Sequence, residues 1–450
     1  MAWEQYHDSH RFFQEIGMTR RTVFVALACL LALFAGSARA VEPPQIIGPE
    51  TYPDGINPLT GLPADPDLLN RRPILIKVSD YPPVVRPQSG LNQADIVWEH
   101  LLSGGVTRFS AIYLGQDAPH VGPIRSARLV DFELTRIYRS LFVYSGMAEG
   151  TINVLRTDGL VSSRAIGGSG PCPALCRFPK DGLALEHTLY GDTTALYEEA
   201  AARSRDLTPE PVYGMAFSEQ PPAGGVPLDG LWVQYRETEI EWAYDDESGR
   251  WLRSQDGAAH MDAATGTQIN AANVLVIEDD HIEQPFVSAN YWGPGDFAFS
   301  VNFIGSGRIV LLRDGRYYEG QWRRETRDDP LTYYDLEGNI LPFKPGNTFV
   351  NLVPRWIDGY QLVFLLEDAA KVSVVTGGGI LMRNGPGDAY RSPDVAYPGD
   401  TFEALGRNRS ADWLQLLRPG DGVIWMPARD LELNGLDAIK LPIARPSNER

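Results

Sequence analysis

The sequence has no long run of lysine or arginine, and its formal net charge is −18. A duplex nucleic acid or an anionic membrane surface would therefore be repelled, because no local basic run offsets the overall charge. The Gly-x-Ser-x-Gly, His-Glu-x-x-His and phosphate-loop motifs are also missing, and with them the familiar signatures of hydrolases and nucleotide-binding proteins. We expect no nucleic acid partner and no cofactor.

Long apolar segments are missing as well. An apolar run from Val23 to Phe34 follows Arg20-Arg21 and precedes Ala38-Arg39-Ala40, which has the small-x-small pattern of a signal-peptidase site. About twelve apolar residues are too few to cross roughly 30 Å of hydrocarbon as a stable helix. The sequence predicts a signal peptide over residues 1–40 and an exported, extracellular or envelope-associated protein with no stable transmembrane span after cleavage. A retained anchor is the alternative.

Cysteine is scarce, with three in the chain, and Cys29 lies inside the apolar run. Cys172 and Cys176 remain, and an even pair suits an oxidising compartment. We expect a local disulfide that closes a loop, with two free thiols or half of a metal site as alternatives. No second Cys/His pair lies nearby at ligand spacing, and the pair His260 and Asp262 is a weak metal signal. We therefore predict no metal.

What the chain does contain is typical of a loop-rich globular protein. Its hydrophobic content is 43%, with 34 prolines and 44 glycines, and its length allows two or three domains. Residues 41–68 are rich in Pro and Asp, which predicts a tether between the signal peptide and the folded body. Strand signals dominate from Pro211 onward, and Asp314-Gly315 predicts a hairpin turn.

The densest group of charged residues lies between Ala94 and Arg128. Alternating apolar residues on both sides of Gly104-Gly105 predict a β-hairpin, and a helical period begins at Arg128. Arg125 and Arg128 would then lie at a helix N-terminus. Backbone N–H groups, the helix dipole and forked guanidinium hydrogen bonds favour a carboxylate or phosphate there. We predict the following ligand-binding residues: Arg108, Arg125, Arg128 and Tyr190.

A catalytic interpretation uses the same region. Asp95 or Glu99 would be the general base of a wall-acting hydrolase, His187 its acid–base partner, and the arginines an anion clamp. Acids beside arginines also build structural ion-pair networks, so their presence does not establish catalysis. We therefore favour an exported binding protein over an enzyme, and a structural or partner-docking role is a third hypothesis.

The C-terminal residues 371–434 resemble a bacterial SH3-like domain. The motifs that carry the resemblance are Leu381-x-Arg383-x-Gly385-Pro386-Gly387, Trp413-Leu414 and Gly422-x-x-Trp425-x-Pro427. The resemblance implies a small β-barrel that binds cell-wall peptide and directs the protein to the wall. Its groove positions would be Tyr390, Trp413 and Trp425, although both tryptophans are alternatively barrel core. Residues 435–450 are predicted to be a tail.

The body resembles the YerB-like family of exported proteins and lipoproteins. The matching motifs are Asn57-Pro58-Leu59-Thr60-Gly61, Arg86-Pro87-Gln88-Ser89-Gly90, Ala94-Asp95-Ile96-Val97, Gly104-Gly105-Val106-Thr107-Arg108-Phe109, Gly122-Pro123-Ile124-Arg125-Ser126-Ala127-Arg128 and His187-Thr188-Leu189-Tyr190. The resemblance implies an α+β protein: a layered α/β sandwich over 69–205 and a β-rich second part over 206–366. It implies no reaction. This chain lacks the lipobox of the family's lipoprotein members.

Overall fold

The computed structural model describes residues 45–288, 297–355, 361–418 and 422–444. The predicted signal peptide, residues 1–40, lies outside these ranges. Within them, no helix is long and apolar enough to cross a membrane.

The described chain is a β-rich α+β fold. Its α-helices are α1 (Pro66–Leu69), α2 (Leu129–Ile137), α3 (Glu149–Thr157), α4 (Gly159–Arg164) and α5 (Thr193–Ala202). The strands of the first half are β1 (Ile74–Ser79), β2 (Ile96–Leu101), β3 (Thr107–Tyr113), β4 (Leu141–Tyr144), β5 (Ala165–Gly167), β6 (Leu175–Arg177), β7 (Leu189–Gly191) and β8 (Val226–Pro227).

Strands dominate the remainder, as the sequence predicts. The second part of the body contains β9 (Gly230–Tyr235), β10 (Thr238–Asp245), β11 (Arg250–Gln255), β12 (Ala258–Ala259), β13 (Asn270–Ala271), β14 (Asn273–Asp279), β15 (His281–Ser288), β16 (Phe297–Val301), β17 (Gly305–Arg313), β18 (Arg316–Arg324), β19 (Thr332–Asp335), β20 (Thr348–Pro354) and β21 (Gln361–Leu365). The C-terminal strands are β22 (Lys371–Val374), β23 (Ile380–Met382), β24 (Asp394–Ala396), β25 (Thr401–Arg407), β26 (Trp413–Arg418), β27 (Gly422–Pro427) and β28 (Leu431–Glu432).

A large mixed sheet joins both parts of the body. Its strand order is β19-β18-β17-β14-β20-β2-β3-β1-β4-β5. A second sheet has the order β12-β11-β10-β9-β21 and shares one hydrophobic core with one face of the large sheet. Helix α2 packs against the other face. The β2–β3 hairpin lies at the centre of this arrangement, and its antiparallel pairing confirms the predicted hairpin.

Alternate residues of β2 enter the two cores. Val97 packs in the core between the sheets with Trp242, whereas Trp98 packs in the core under α2 with Phe132. Because side chains alternate along a strand, Glu99 follows Val97 toward the second sheet, and His100 follows Trp98 toward α2. One short strand therefore places buried polar groups in both cores.

The predicted tether is wrong for residues 45–68, which fold onto the body. Ile47 pairs with Phe217 in an antiparallel bridge, and Leu59 is fully buried. The Asn57 amide donates to Asp95 Oδ1 at 2.9 Å. The prolines and aspartates that suggested a flexible linker instead form turns and the cap of α1, where Asp65 accepts from the Asp67 N–H.

Replacing Gly61 with alanine should destabilise the body by about 1–3 kcal/mol. Gly61 has φ +68, and an added Cβ would lie 2.5 Å from Cγ of Phe217. The new methyl group would therefore meet a fully buried ring as well as backbone strain. Urea unfolding measures the loss. Gly55 is the matched control, since its φ is +76 but nothing lies within 4 Å of its added Cβ. Equal losses in both variants would show that the Phe217 contact contributes nothing.

The predicted tail is also partly folded. Residues 435–444 return along the C-terminal module, which we define as residues 371–444. The N–H of Arg407 donates to Pro442 O at 2.9 Å, and that of Ala444 donates to Arg407 O at 2.9 Å. The Ile443 N–H reaches Glu319 Oε1 of the body at 3.5 Å. Alternation of apolar and polar residues is weak in this stretch, so its sequence gave no strand signal.

Cys172 and Cys176 form a disulfide, as the sequence predicts. The bond closes the loop that enters β6, and β6 pairs with β7 in an antiparallel hairpin. A short 3-10 helix, Leu185–His187, precedes β7. The disulfide therefore supports the segment that carries His187 and Tyr190.

Candidate functional site

The Gly122–Arg128 segment crosses the carboxyl ends of parallel strands β1 and β4. The N–H of Arg125 donates to Lys77 O at 2.8 Å, and its carbonyl accepts from the Ser145 N–H at 3.0 Å. In open α/β sheets, ligands bind outside the carboxyl ends of the strands. The segment with the predicted anion-binding arginines thus lies at the edge where a ligand site is expected.

The three predicted arginines converge at this edge. Arg108, on β3, donates to Ser126 O at 2.9 Å, and Arg128 donates to Ala127 O at 2.9 Å. Burial lowers the pKa of Arg108 well below its ordinary value, and the positive charges of Arg128 and Arg125 lower it further. Within the described ranges, Arg108 forms no salt bridge. Asp131 opposes the shift, but it does not cancel the effects of burial and of the two neighbouring guanidinium groups.

Arg125 reaches the 3-10 helix before β7. Its Nη1 donates to Glu186 O at 3.2 Å, and Nη2 lies 3.7 Å from Oε1 of Glu186, whose side chain is 61% exposed. Burial lowers the pKa of Arg125; Glu186 opposes the shift and Arg177 adds to it. Burial and then Arg125 also lower the pKa of His187, whose buried Nδ1 has no hydrogen-bond partner among the described residues. We call the following residues the cationic corner: Arg108, Arg125, Arg128, Arg177 and His187.

The start of helix α2 differs from the predicted anion site. Arg128 is its N-cap residue, as predicted, but the Arg128 N–H already donates to Asp131 Oδ2 at 2.6 Å. The chain itself thus supplies the carboxylate that the helix N-terminus favours. Any external anion at this edge would contact the guanidinium side chains instead of this N–H group.

Asp131 also belongs to a buried polar cluster that sequence reasoning missed. The Lys77 ammonium donates to Asp131 Oδ1 at 2.8 Å and to Ser110 Oγ at 2.9 Å, and it contacts His100 Nε2. Burial lowers the pKa of Lys77 to about 7, although Asp131 opposes the shift, and Arg108 and Arg128 contribute. A lysine inside the apolar strand Ile74–Ser79 was the available signal, since buried lysines are rare without a partner.

Asp95 links residues 45–68 to the large sheet through hydrogen bonds. Its Oδ1 accepts from Asn57 and its Oδ2 from the Gly115 N–H at 3.0 Å. Burial raises the pKa of Asp95 to about 6, although these donors oppose the shift. Both oxygens are engaged by the protein, which is the arrangement of a structural carboxylate.

Glu99 lies in the core between the sheets. It accepts from Arg253 Nη2 at 2.9 Å, from Asn351 Nδ2 at 3.1 Å and from Thr107 Oγ1 at 2.8 Å. Burial raises the pKa of Glu99, and Arg253 opposes the shift. Neither Glu99 nor Asp95 contacts His187 in the part of the chain that the structure describes. The three residues of the hydrolase hypothesis are therefore not brought together.

His260 and Asp262 stabilise the loop between β1 and β2. His260 Nε2 lies 2.5 Å from Gln88 Oε1, in contact with Arg253 on its other side. Asp262 accepts from the Asn92 N–H at 2.8 Å and from the Gly90 N–H at 3.2 Å. The two side chains point to different partners, which explains their close spacing without a metal ion.

Tyr190 contacts other rings instead of the guanidinium groups. It stacks on His120, with ring centroids 4.2 Å apart and planes 5° apart, and meets Phe178 edge-on at 5.8 Å. Gly122 leaves room for this ring, since an added Cβ would lie 2.7 Å from Tyr190 Cδ1. Tyr190 thus supports the Gly122–Arg128 segment from the side.

The predicted groove residues of the C-terminal module have different environments. Trp425 is fully buried, and it pairs with Gln415, whose amide lies 3.5 Å from Leu362 O of the body. Side chains of directly paired residues share a sheet face, so Trp425 faces the body instead of an open groove. Trp413 and Tyr390 are partly exposed.

Comparisons with known proteins match the body. Residues 59–207 match the N-terminal domain, and residues 231–350 the C-terminal domain, of "Protein of unknown function (DUF3048)". The chain is 29% identical over 304 residues to "Putative lipoprotein YerB" of Bacillus subtilis (strain 168), covering 66% of this chain and 86% of that protein. The crystal structure of YerB protein from Bacillus subtilis superposes with a TM-score of 0.56 at 27% identity, covering 66% of this chain and 96% of that one. Since the two matched domains together span more than half of the sequence, the chain belongs to the YerB-like family of proteins of unknown function.

Proposed function

We propose that this protein is an exported cell-envelope binding protein that recognises an anionic ligand at the cationic corner. The observation that carries the proposal is the convergence of Arg108, Arg125 and Arg128, where burial and mutual repulsion lower the pKa of Arg108. A carboxylate or phosphate between them would relieve that repulsion and accept forked hydrogen bonds.

The surroundings of the corner favour binding over hydrolysis. Asp95 and Glu99, the two carboxylates of the hydrolase hypothesis, are both engaged in buried hydrogen bonds with the body. A binding site needs only donors placed where a charge will lie, and the corner supplies them. The Bacillus relative is named a putative lipoprotein, and this name supports an envelope location for the present protein.

We assign wall targeting to the C-terminal module on its sequence resemblance to bacterial SH3-like domains. Its strands form a small antiparallel sheet with the order β27-β26-β25-β22-β28, beside the β23–β24 pair. With Trp425 turned toward the body, Tyr390 and Trp413 are the aromatic positions left for a cell-wall peptide.

Replacing Arg125 with alanine should weaken anion binding at least tenfold, about 1.4 kcal/mol. The Arg125 side chain is 16% exposed, and its ion pair with the exposed Glu186 is 3.7 Å long, so its loss removes positive charge from the corner without breaking a short ion pair. Isothermal titration with N-acetylmuramic acid and with inorganic phosphate, at low and high salt, measures the effect. The two probes distinguish a carboxylate ligand from a phosphate ligand.

Arg156→Ala is the control, because Arg156 lies exposed on α3 with Asn153 as its side-chain partner. Equal affinity of wild type, Arg125→Ala and Arg156→Ala would overturn the proposed site, as would the absence of binding by wild type. Cosedimentation of the same full-length proteins with purified sacculi, alongside Trp413→Ala, separates wall targeting by the module from ligand binding by the corner.

A further inference from the structure

A groove separates the body from the C-terminal end of the chain, away from the cationic corner. It encloses about 650 Å³. One wall is formed by β18 and the loop after β19, and the other by residues 439–441 of the C-terminal module. Ligand sites of about 300–1,000 Å³ occur preferentially at such boundaries between structural units.

The two walls are joined by specific contacts. Arg308 Nη2 lies 3.4 Å from Ile443 O, and the Ile443 N–H lies 3.5 Å from Glu319 Oε1. Glu319 is itself paired with Arg308 at 2.9 Å. Arg407, at the base of the groove, donates to Ile439 O at 3.0 Å. The Ile443 contacts therefore join the module to the body, and the Arg407 hydrogen bond holds Ile439 within the module.

The groove carries exposed aliphatic side chains on both walls. Leu336 is 66% exposed on the body side, and Ile439 is 55% exposed on the module side. Both side chains line the same cavity and are accessible from it. An occupant with an aliphatic portion would cover both.

Opposite charges lie on the opposite walls. Glu337 is exposed beside Leu336, and Lys440 is exposed beside Ile439. Neither forms an ion pair in the residues that the structure describes. Tyr318 also lines the groove, but its hydroxyl is buried and is not exposed to an occupant.

We propose that this groove binds a short zwitterionic peptide, one that carries both a free amine and a free carboxylate. The amine lies toward Glu337, the carboxylate toward Lys440, and an aliphatic side chain contacts Leu336 and Ile439. A purely anionic or cationic ligand would satisfy one wall and be repelled by the other. The inference is independent of the cationic corner.

The test uses full-length protein and the tripeptide Ala-Leu-Ala with free termini, whose only charges are the terminal amine and carboxylate, and isothermal titration measures its binding. We expect Lys440→Glu and Glu337→Lys each to weaken binding at least tenfold. Ala223→Trp, which fills the exposed end of the groove, should abolish binding without lowering the urea midpoint. Lys371→Glu is the matched control, because Lys371 is exposed on β22 outside the groove. It should bind as wild type does.

Three outcomes for the peptides and the groove variants would overturn the proposal, and an effect of Arg125→Ala would be a fourth. The first three are no binding of the tripeptide by wild type at millimolar concentration, equal binding of its N-acetylated and C-amidated analogue, and equal binding by all variants. Arg125→Ala must leave tripeptide affinity unchanged. If it does not, the tripeptide binds at the cationic corner and the groove is not its site.

Discussion

Arg253→Met is expected to lower the free energy of unfolding by about 3–5 kcal/mol. Arg253 is fully buried between the two sheets, where it donates to Glu99 Oε2 at 2.9 Å and to Gln255 Oε1 at 2.7 Å. Asp80 lies close enough to raise the pKa of Glu99 further. Without the guanidinium, two buried carboxylates would be left with neutral donors and the more distant Arg86, which lies 3.7 Å from Asp80.

Urea unfolding at pH 7, followed by far-UV circular dichroism, measures this loss. The double variant Glu99→Gln with Arg253→Met should recover part of it, because no unpaired charge remains at Glu99. Arg323→Met is the control: Arg323 is exposed and stacks over Tyr334 at 4.2 Å, so the change should stay within about 0.5 kcal/mol. If Arg253→Met costs as little as Arg323→Met, the buried pair does not hold the sheets together.

Local patterns in the sequence predicted local structure well. The β2–β3 hairpin and the helix start at Arg128 follow from signals within a few residues. The Asp314-Gly315 turn between β17 and β18 also follows from a local signal, since both residues have the positive φ that this tight turn requires.

Contacts between distant segments could not be predicted. Lys77 meets Asp131 across 54 residues, and Glu99 meets Arg253 across 154. A single sequence contains no information that joins such pairs, so Glu99 is only a candidate general base in the sequence, and its pairing with Arg253 cannot be foreseen. The composition of residues 45–68 was misleading for the same reason. Leu59 is buried in the same hydrophobic core as Phe217, which lies 158 residues further along the chain.

The free energy of unfolding of the wild type should increase between pH 7 and about pH 10, and Lys77→Met should abolish that increase. Burial lowers the pKa of Lys77 in the folded protein to about 7, below the ordinary value of 10.5. Between these values the unfolded chain binds more protons than the folded chain, so the free energy of unfolding increases with pH. The slope approaches 1.4 kcal/mol per pH unit. The difference between wild type and Lys77→Met, measured by urea unfolding at pH 6.5, 7.5, 8.5 and 9.5, isolates this contribution.

The neighbours of Lys77 do not mask this window. Burial lowers the pKa of His100 to about 4, and Lys77 lowers the pKa of Asp131 against the effect of burial, so both titrate below pH 7. Ser110→Ala is the control, because it removes the 2.9 Å hydrogen bond to Lys77 but no titrating group. Its difference from wild type should change little with pH. If the difference in free energy of unfolding between wild type and Lys77→Met is also constant from pH 6.5 to 9.5, Lys77 stays charged beside Asp131 over this range. The positive charge beside Arg108 and Arg128 would then be permanent, and anion binding at the corner would not weaken as the pH rises from 7 to 9.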